Sequence, residues 1–357
     1  MSRFSTPQLS ALTPYVPGEQ PPRSVSLIKL NTNENPYPPG PAVRAVLTDA
    51  AVDSLRLYPD PDCRELKEAV AEAYGLQAEN VYVGNGSDEV LAFIFKGLCP
   101  KGAAFPDISY GFYPVFADMF QIPYREVPLR DDLSLDIADY KDTDSTLFIA
   151  NPNAPTGLTL SIGEIRNLLE QNRERLVVVD EAYVDFGCES AVKLIDSYDN
   201  LLIVQTLSKS RQLAGGRIGL ALGQKELISD LETLKFSFNP YSVNSLALMA
   251  ATASFKDMNW FEEHRDRLIE NRRFLSRNLT ALGFHLTDSR ANFVFAAPPA
   301  GLSGEEFFQQ LRRRNIIVRW FDKPRIKNYV RITIGRRDQL ETLLQATMDI
   351  LQERKLL

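Results

Sequence analysis

A chain of 357 residues exceeds the roughly 250–300 residues at which one hydrophobic core stops growing, so its length implies two domains and not a lone binding module. Hydrophobic residues at 44% and charged residues at 24% are those of an ordinary globular chain, which excludes disorder, collagen and coiled coil as whole-chain descriptions. A formal net charge of −6 supplies no basic surface for a phosphate backbone, so no nucleic-acid partner is expected.

Two scarce residue types narrow the chemistry. His264 and His285 are the only histidines. A multi-histidine metal site is therefore impossible, and because both contexts read as surface helix or strand, a catalytic histidine is not expected either. Cys63, Cys99 and Cys188 are odd in number, widely spaced and without a C-x-x-C pair. That argues against a disulfide framework and a zinc site, so no metal is expected and the natural compartment is a reducing cytoplasm. The start, MSRFSTPQLS, lacks an apolar h-region, and no apolar run approaches the length of a membrane helix. Neither an export signal nor a membrane span is expected.

In chain order, short proline-rich stretches at Pro14 to Pro22 and Pro36 to Pro41 read as an extended arm leading into the first helix. A helix over Arg64–Tyr74 is followed by a strand over residues 80–83 and a helix over 87–98, with Val90, Leu91, Ile94 and Phe95 on one face. Apolar strands are predicted at 147–150, 176–179, 201–205 and 218–222, with helices over 161–172 and 224–236. Short, β-branched, continuously apolar runs separated by helices indicate an α/β fold whose mainly parallel sheet is covered on both faces. Past residue 240 the texture changes. A long charged amphipathic helix over 259–282 leads to strands at 284–286, 293–296, 316–319 and 329–334, a helix over 304–314 and a final helix from Arg337. The expected organisation is an arm at 1–40 that contributes to the smaller domain, a large domain at 41–255, and a linking helix with a small α+β domain at 256–357.

In an open parallel sheet, ligands gather beyond the carboxyl ends of the strands. After the strand ending at Val179 come Asp180, Glu181, Ala182 and Tyr183; after the strand ending at Gln205 come Thr206, Leu207, Ser208 and Lys209. Singly, such an aspartate reads as a cap and such a lysine as a solvated side chain. Their surroundings change that reading. Gly215-Gly216-Arg217-Ile218-Gly219 sets an arginine among glycines, and Asn151-Pro152-Asn153-Ala154-Pro155-Thr156-Gly157 forms a rigid turn after another strand. Together they suit pyridoxal phosphate, which needs a carboxylate for its ring nitrogen, a lysine for its aldehyde carbon and a cationic cradle for its phosphate. Asp180 can pair the ring nitrogen, Lys209 can bond the aldehyde carbon, and Tyr183 can reach the ring hydroxyl. Gly84-Asn85-Gly86-Ser87-Asp88 joins a strand to a helix whose first amides can bind an anion, and Arg217 and Ser208 can close the far side.

These segments, with Asn31-Thr32-Asn33-Glu34-Asn35-Pro36, Tyr58-Pro59-Asp60 and Val330-Arg331-Ile332-Thr333-Ile334-Gly335, run in the order found in fold-type-I aminotransferases. Within that group the chain resembles the histidinol-phosphate aminotransferase branch, over essentially its whole length. The resemblance implies a ping-pong amino transfer between histidinol phosphate and 2-oxoglutarate, in histidine biosynthesis, by a homodimer. It implies that Lys209, Asp180 and Tyr183 are catalytic. Tyr110 would stack on the cofactor ring, and Gly86, Ser87, Asp88, Thr206, Ser208 and Arg217 would surround its phosphate. Tyr58 would be lent to that phosphate by the neighbouring subunit, and Tyr15, Asn33, Arg319 and Arg331 would line the substrate side.

One position departs from the branch pattern: Ala154 stands where a second asparagine usually binds the ring hydroxyl, so either Asn153 covers that role or Tyr183 holds the oxygen with less help. A nicotinamide dehydrogenase is disfavoured because Glu89 occupies the place of the third glycine after Gly84 and Gly86. A non-catalytic binding protein is disfavoured by the presence of both Lys209 and Asp180. An aromatic amino-acid aminotransferase or a phosphothreonine decarboxylase on the same scaffold stays open.

Overall fold

The computed structural model describes residues 2–21 and 27–357; the last residue of the stretch Pro14 to Pro22 lies outside the described residues. In chain order the strands are β1 (Ile28–Lys29), β2 (Val81–Asn85), β3 (Ala103–Pro106), β4 (Tyr124–Val127), β5 (Thr146–Ala150), β6 (Val177–Asp180) and β7 (Leu201–Thr206). They continue with β8 (Ile218–Gly223), β9 (His285–Leu286), β10 (Phe293–Ala297), β11 (Ile316–Ile317), β12 (Arg319–Trp320) and β13 (Val330–Thr333).

Seven of these form one sheet in the order β2-β8-β7-β6-β5-β3-β4. Its neighbours run parallel, except that β8 is antiparallel to both β2 and β7. The fold is α/β. Alternation along the strands sends successive side chains to opposite faces. Leu147, Ile149, Val177, Val179, Leu201 and Ile203 therefore enter one core with Leu66, Val70, Ile165, Leu168 and Ala251. Phe148, Val178, Leu202 and Val204 enter a second core with Val90, Leu91, Ile94, Phe116 and Leu231. Burial on both faces explains why β5 to β7 read as unbroken apolar runs.

A third core lies around the antiparallel sheet β12-β13-β10-β9. Leu268, Leu275 and Leu279 of the 24-residue helix Met258–Ala281 pack there against Phe307, Leu311, Leu340 and Leu343. The later part of the arm joins it: β1 pairs in parallel with β11, Ile28 opposite Ile316, and Leu30 is buried in the same core.

Two expectations need correction. The predicted strand over 316–319 is two strands in different sheets, because Ile316–Ile317 pairs with β1 and Arg319–Trp320 with β13. His264 is not a surface residue; it is buried in the long helix, stacked on Trp260 at 3.9 Å with Nδ1 2.9 Å from the Trp260 carbonyl. Beyond the predicted elements, β3 and β4 complete one edge of the large sheet, and the helix Ser245–Lys256 packs in its first core.

Because β5, β6 and β7 run in the same direction, their carboxyl ends lie along one edge of the sheet. Asn151, Asp180 and Lys209 emerge from that edge.

Candidate active site

At that edge lies a cavity of about 390 Å³, lined by Ser87, Asp88, Tyr110, Ala154, Asp180, Tyr183, Thr206, Ser208, Lys209 and Arg217. Its size is in the range of small-molecule sites. Asp180 ends β6 with its carboxylate buried, where Oδ2 accepts from the Tyr113 hydroxyl at 2.9 Å and Oδ1 from the Ala182 amide at 3.3 Å. Burial pushes its pKa up to about 6, and those two hydrogen bonds only partly oppose the shift. A buried carboxylate without a cationic partner suits a ligand that brings a positive nitrogen.

Lys209 follows the end of β7, with Nζ 3.5 Å from the Thr32 carbonyl and 5.9 Å from the centre of the Tyr183 ring. Its backbone carbonyl accepts from Asn35 Nδ2 at 3.0 Å, which ties the lysine turn to the later part of the arm. The Tyr183 hydroxyl accepts from Asn33 Nδ2 at 2.9 Å. Asn33 has a left-handed backbone (φ 55°), and its amide donates to Thr333 Oγ1 at 2.9 Å, so the small sheet fixes the group that orients Tyr183.

The other end of the cavity is shaped by a backbone turn. Gly86 has φ +78°, and a Cβ there would lie 2.5 Å from Arg217 Nη2. A Cβ on Gly219 would lie 2.3 Å from both Gly86 C and Ser87 N. Only glycines permit this approach of β8 to the turn. The helix Gly86–Gly97 starts without a side-chain cap, which leaves its first amides available to an anion. Around it, Arg217 Nη2 donates to Asp88 Oδ2 at 3.0 Å, Tyr110 Oη donates to Asp88 Oδ1 at 2.7 Å, and the Thr206 and Ser208 hydroxyls are 3.0 Å apart.

A second cavity of about 480 Å³ shares Tyr110, Tyr183 and Lys209 with the first and adds Tyr15, Asn33, Arg319 and Arg331. Arg319 and Arg331 stand directly opposite each other on β12 and β13, so both side chains rise from one face. Arg331 Nη2 donates to the Asn31 carbonyl at 3.1 Å while its Nε is buried without a partner. Burial lowers its pKa, and the Arg319 charge adds to that effect. Arg319 donates to the arm carbonyls of Val16 at 3.2 Å and Pro17 at 3.3 Å. Tyr15 of the arm stacks on Phe112 at 4.2 Å.

Of the two candidates for the role of the missing amide, Asn153 lines neither cavity, whereas Tyr183 lines both. Asn153 Oδ1 accepts from Ser109 Oγ at 2.8 Å, and its Nδ2 donates to the Ile108 carbonyl at 2.9 Å and to Thr156 Oγ1 at 3.0 Å. It faces a separate cavity of about 150 Å³, whereas Ala154 borders the site. Tyr58 is also away from the cavity of its own chain; it is 82% exposed and stacks on Tyr241 at 4.5 Å. Tyr113 was missed by sequence reasoning, since a tyrosine inside an apolar helix reads as core. So was Glu181, whose carboxylate is buried under the site between Ser190 Oγ, the Ala191 amide and Gln205 Nε2.

Residues 25–346 match the model of the family described as aminotransferase class I and II, and the chain belongs to that family. Among curated proteins it is 50% identical over 349 residues to a histidinol-phosphate aminotransferase of Acinetobacter baumannii, covering 96% of each chain. It is 49% identical over 353 residues to histidinol-phosphate aminotransferase 1 of Bradyrhizobium diazoefficiens, covering 98% of this chain and 100% of that one. Among solved structures, the histidinol-phosphate aminotransferase of Sinorhizobium meliloti in complex with pyridoxal-5'-phosphate superposes with a TM-score of 0.88 over 99% of each chain. At 21% identity that likeness shows the shared fold.

Proposed function

We propose that this protein is a pyridoxal-phosphate-dependent aminotransferase that moves an amino group between histidinol phosphate and 2-oxoglutarate. The observation that carries the proposal is the convergence of a buried Asp180 carboxylate, the Lys209 amine and an uncapped helix N-terminus beside Arg217 in one cavity. The names of the relatives at about half identity over nearly the full chain support the substrate.

Bound in this cavity, pyridoxal phosphate supplies an electron sink for the charge left when a substrate Cα–H bond breaks. Asp180 would hold the proton on the ring nitrogen. Lys209 would bond the aldehyde carbon at rest and, once free, carry the proton to and from the substrate Cα. Tyr183, itself held by Asn33, would contact the ring hydroxyl, with Ala154 giving no hydrogen bond there. Tyr110 would cover the ring. Gly86, Ser87, Asp88, Thr206, Ser208 and Arg217 would surround the phosphate, and Tyr58 would complete that cradle in the active site of a second copy. Arg319 and Arg331 would receive the anionic arm of either substrate, since a guanidinium fork accepts carboxylate and phosphate alike. The working unit is a homodimer, and its compartment the cytoplasm, where the three free cysteines would stay reduced.

A donor panel tests the substrate. With pyridoxal phosphate and 2-oxoglutarate, histidinol phosphate is expected to give glutamate far faster than phenylalanine, tyrosine or phosphothreonine. Faster turnover of an aromatic amino acid, or carbon dioxide released from phosphothreonine, would overturn the assignment.

A further inference from the structure

Tyr58, assigned to the active site of a second copy, is mechanically connected to the phosphate turn of its own chain. The connection starts at Glu89, one turn into the helix Gly86–Gly97. Its Oε2 accepts from the Asn85 amide at 2.7 Å, bracing the turn that precedes Gly86, and the same oxygen accepts from Ser242 Oγ at 2.9 Å. Ser242 adjoins Tyr241, whose ring stacks on Tyr58 with centroids 4.5 Å apart and planes 26° from parallel. The other end of the Tyr58 turn is anchored independently. Lys235, only 1% exposed, donates from Nζ to the Pro61 carbonyl at 2.7 Å, and Cys63 closes the turn in a left-handed conformation (φ 53°).

A buried ammonium needs its donors satisfied, and Lys235 spends two of them on this turn, at the Pro61 carbonyl and at Cys63 Sγ (3.7 Å), so displacing the turn would strand a buried charge. With that end held, the exposed Tyr58 ring rests on Tyr241, which is held on one side by its own amide, donating to Asn239 Oδ1 at 3.2 Å, and on the other by the Ser242 to Glu89 hydrogen bond. Glu89 thereby holds two things at once: the backbone of one phosphate seat, and the platform of the tyrosine given to the other.

We propose that Glu89 and Ser242 are positioning residues that couple the two active sites of the dimer, by linking each chain's phosphate turn to the Tyr58 it lends to its partner. The proposal rests on the assignment of Tyr58 to the partner's cofactor phosphate. Ser242 is the informative position, because Ser242→Ala cuts the link and leaves the Glu89 contact to the Asn85 amide in place.

The test is a double-mutant cycle on the intact dimer, reading the dissociation constant of pyridoxal phosphate for wild type, Ser242→Ala, Tyr58→Phe and the double variant. Loss of one such hydrogen bond is expected to weaken cofactor binding about threefold to tenfold in Ser242→Ala. Ser242→Thr should restore it, and kcat at saturating cofactor should be unchanged. In the Tyr58→Phe background, Ser242→Ala should have no further effect. Wild-type affinity in Ser242→Ala, with Tyr58→Phe weakened, would overturn the coupling and leave the Tyr58 assignment intact. An equal loss from Ser242→Ala in both backgrounds would also overturn it, since the residue would then act within its own site. Wild-type affinity in Tyr58→Phe would instead overturn the assignment of Tyr58, and the coupling with it.

Discussion

Asp180 carries its charge at the wall of the cavity with only 5% of its surface open to water. Burial raises its pKa to about 6, against an ordinary value of 3.8. Between those values the folded chain keeps a proton that the unfolded chain has lost, so stability of the cofactor-free protein falls as pH rises through that window. A shift of about two units corresponds to on the order of 3 kcal/mol. Asp180→Asn abolishes this penalty: the variant is expected to be more stable than wild type near pH 8 and similar near pH 4, while turnover falls at least about a hundredfold. Denaturant unfolding at the two pH values, with steady-state rates, checks both halves. Arg331→Ala should weaken the half-reactions with glutamate and with histidinol phosphate alike, by roughly 2–4 kcal/mol, because it removes a charge-assisted contact below the surface. Arg319→Ala should impair the phosphate donor more, since phosphate carries more charge and more acceptor oxygens; single-turnover rates with equal losses for both substrates would contradict this. Lys209 and Asp180 were legible in the sequence because strand ends of a parallel sheet share an edge. The orientation of an amide within a turn has no such signature, so the sequence leaves Asn153 and Tyr183 open where the structure turns the Asn153 amide toward Ser109, Ile108 and Thr156.

At the scale of elements, the phosphate turn depends on how tightly β8 lies against it. Gly219→Ala would drive a Cβ to 2.3 Å from backbone atoms of Gly86 and Ser87, which no rotamer change relieves. A loss of roughly 1–3 kcal/mol in folding stability is expected, with weakened cofactor binding, by denaturant unfolding and cofactor titration. Gly223→Ala, at the far end of the same strand, would meet chiefly the Leu202 side chain and should disturb cofactor binding less. The strand itself was legible as an apolar run, but its antiparallel direction was not, because a strand buried on both faces has the same composition in either direction. β4 escaped notice for the opposite reason: as an edge strand it exposes Tyr124, Arg125 and Glu126 and shows no apolar pattern. The helix Ser245–Lys256 is rich in alanine and buried along most of its length, so it lacks the amphipathic stripe that marked its neighbours.

At the scale of the whole molecule, Leu55, Leu57, Tyr58, Phe236, Phe238 and Tyr241 are large apolar residues left exposed near the Tyr58 turn. Exposed apolar groups in such number favour coverage by another chain, and they support the proposed dimer. Phe238→Glu is expected to weaken that dimer, seen as a shift toward monomer in sedimentation equilibrium; an unchanged mass distribution would place the interface elsewhere. The proposed dimer rests on the family resemblance of the Tyr58-Pro59-Asp60 segment, since pattern and propensity within one chain do not encode its copy. Among the described residues no helix is long and apolar enough to cross a membrane. The amino transfer itself is tested most directly by mixing histidinol phosphate with the pyridoxal-phosphate-loaded protein in the absence of 2-oxoglutarate and measuring imidazole-acetol phosphate. The account predicts a stoichiometric burst of that ketone, one per chain, in the wild type and none in Lys209→Ala. No ketone from the loaded wild type, or an undiminished burst from Lys209→Ala, would contradict it.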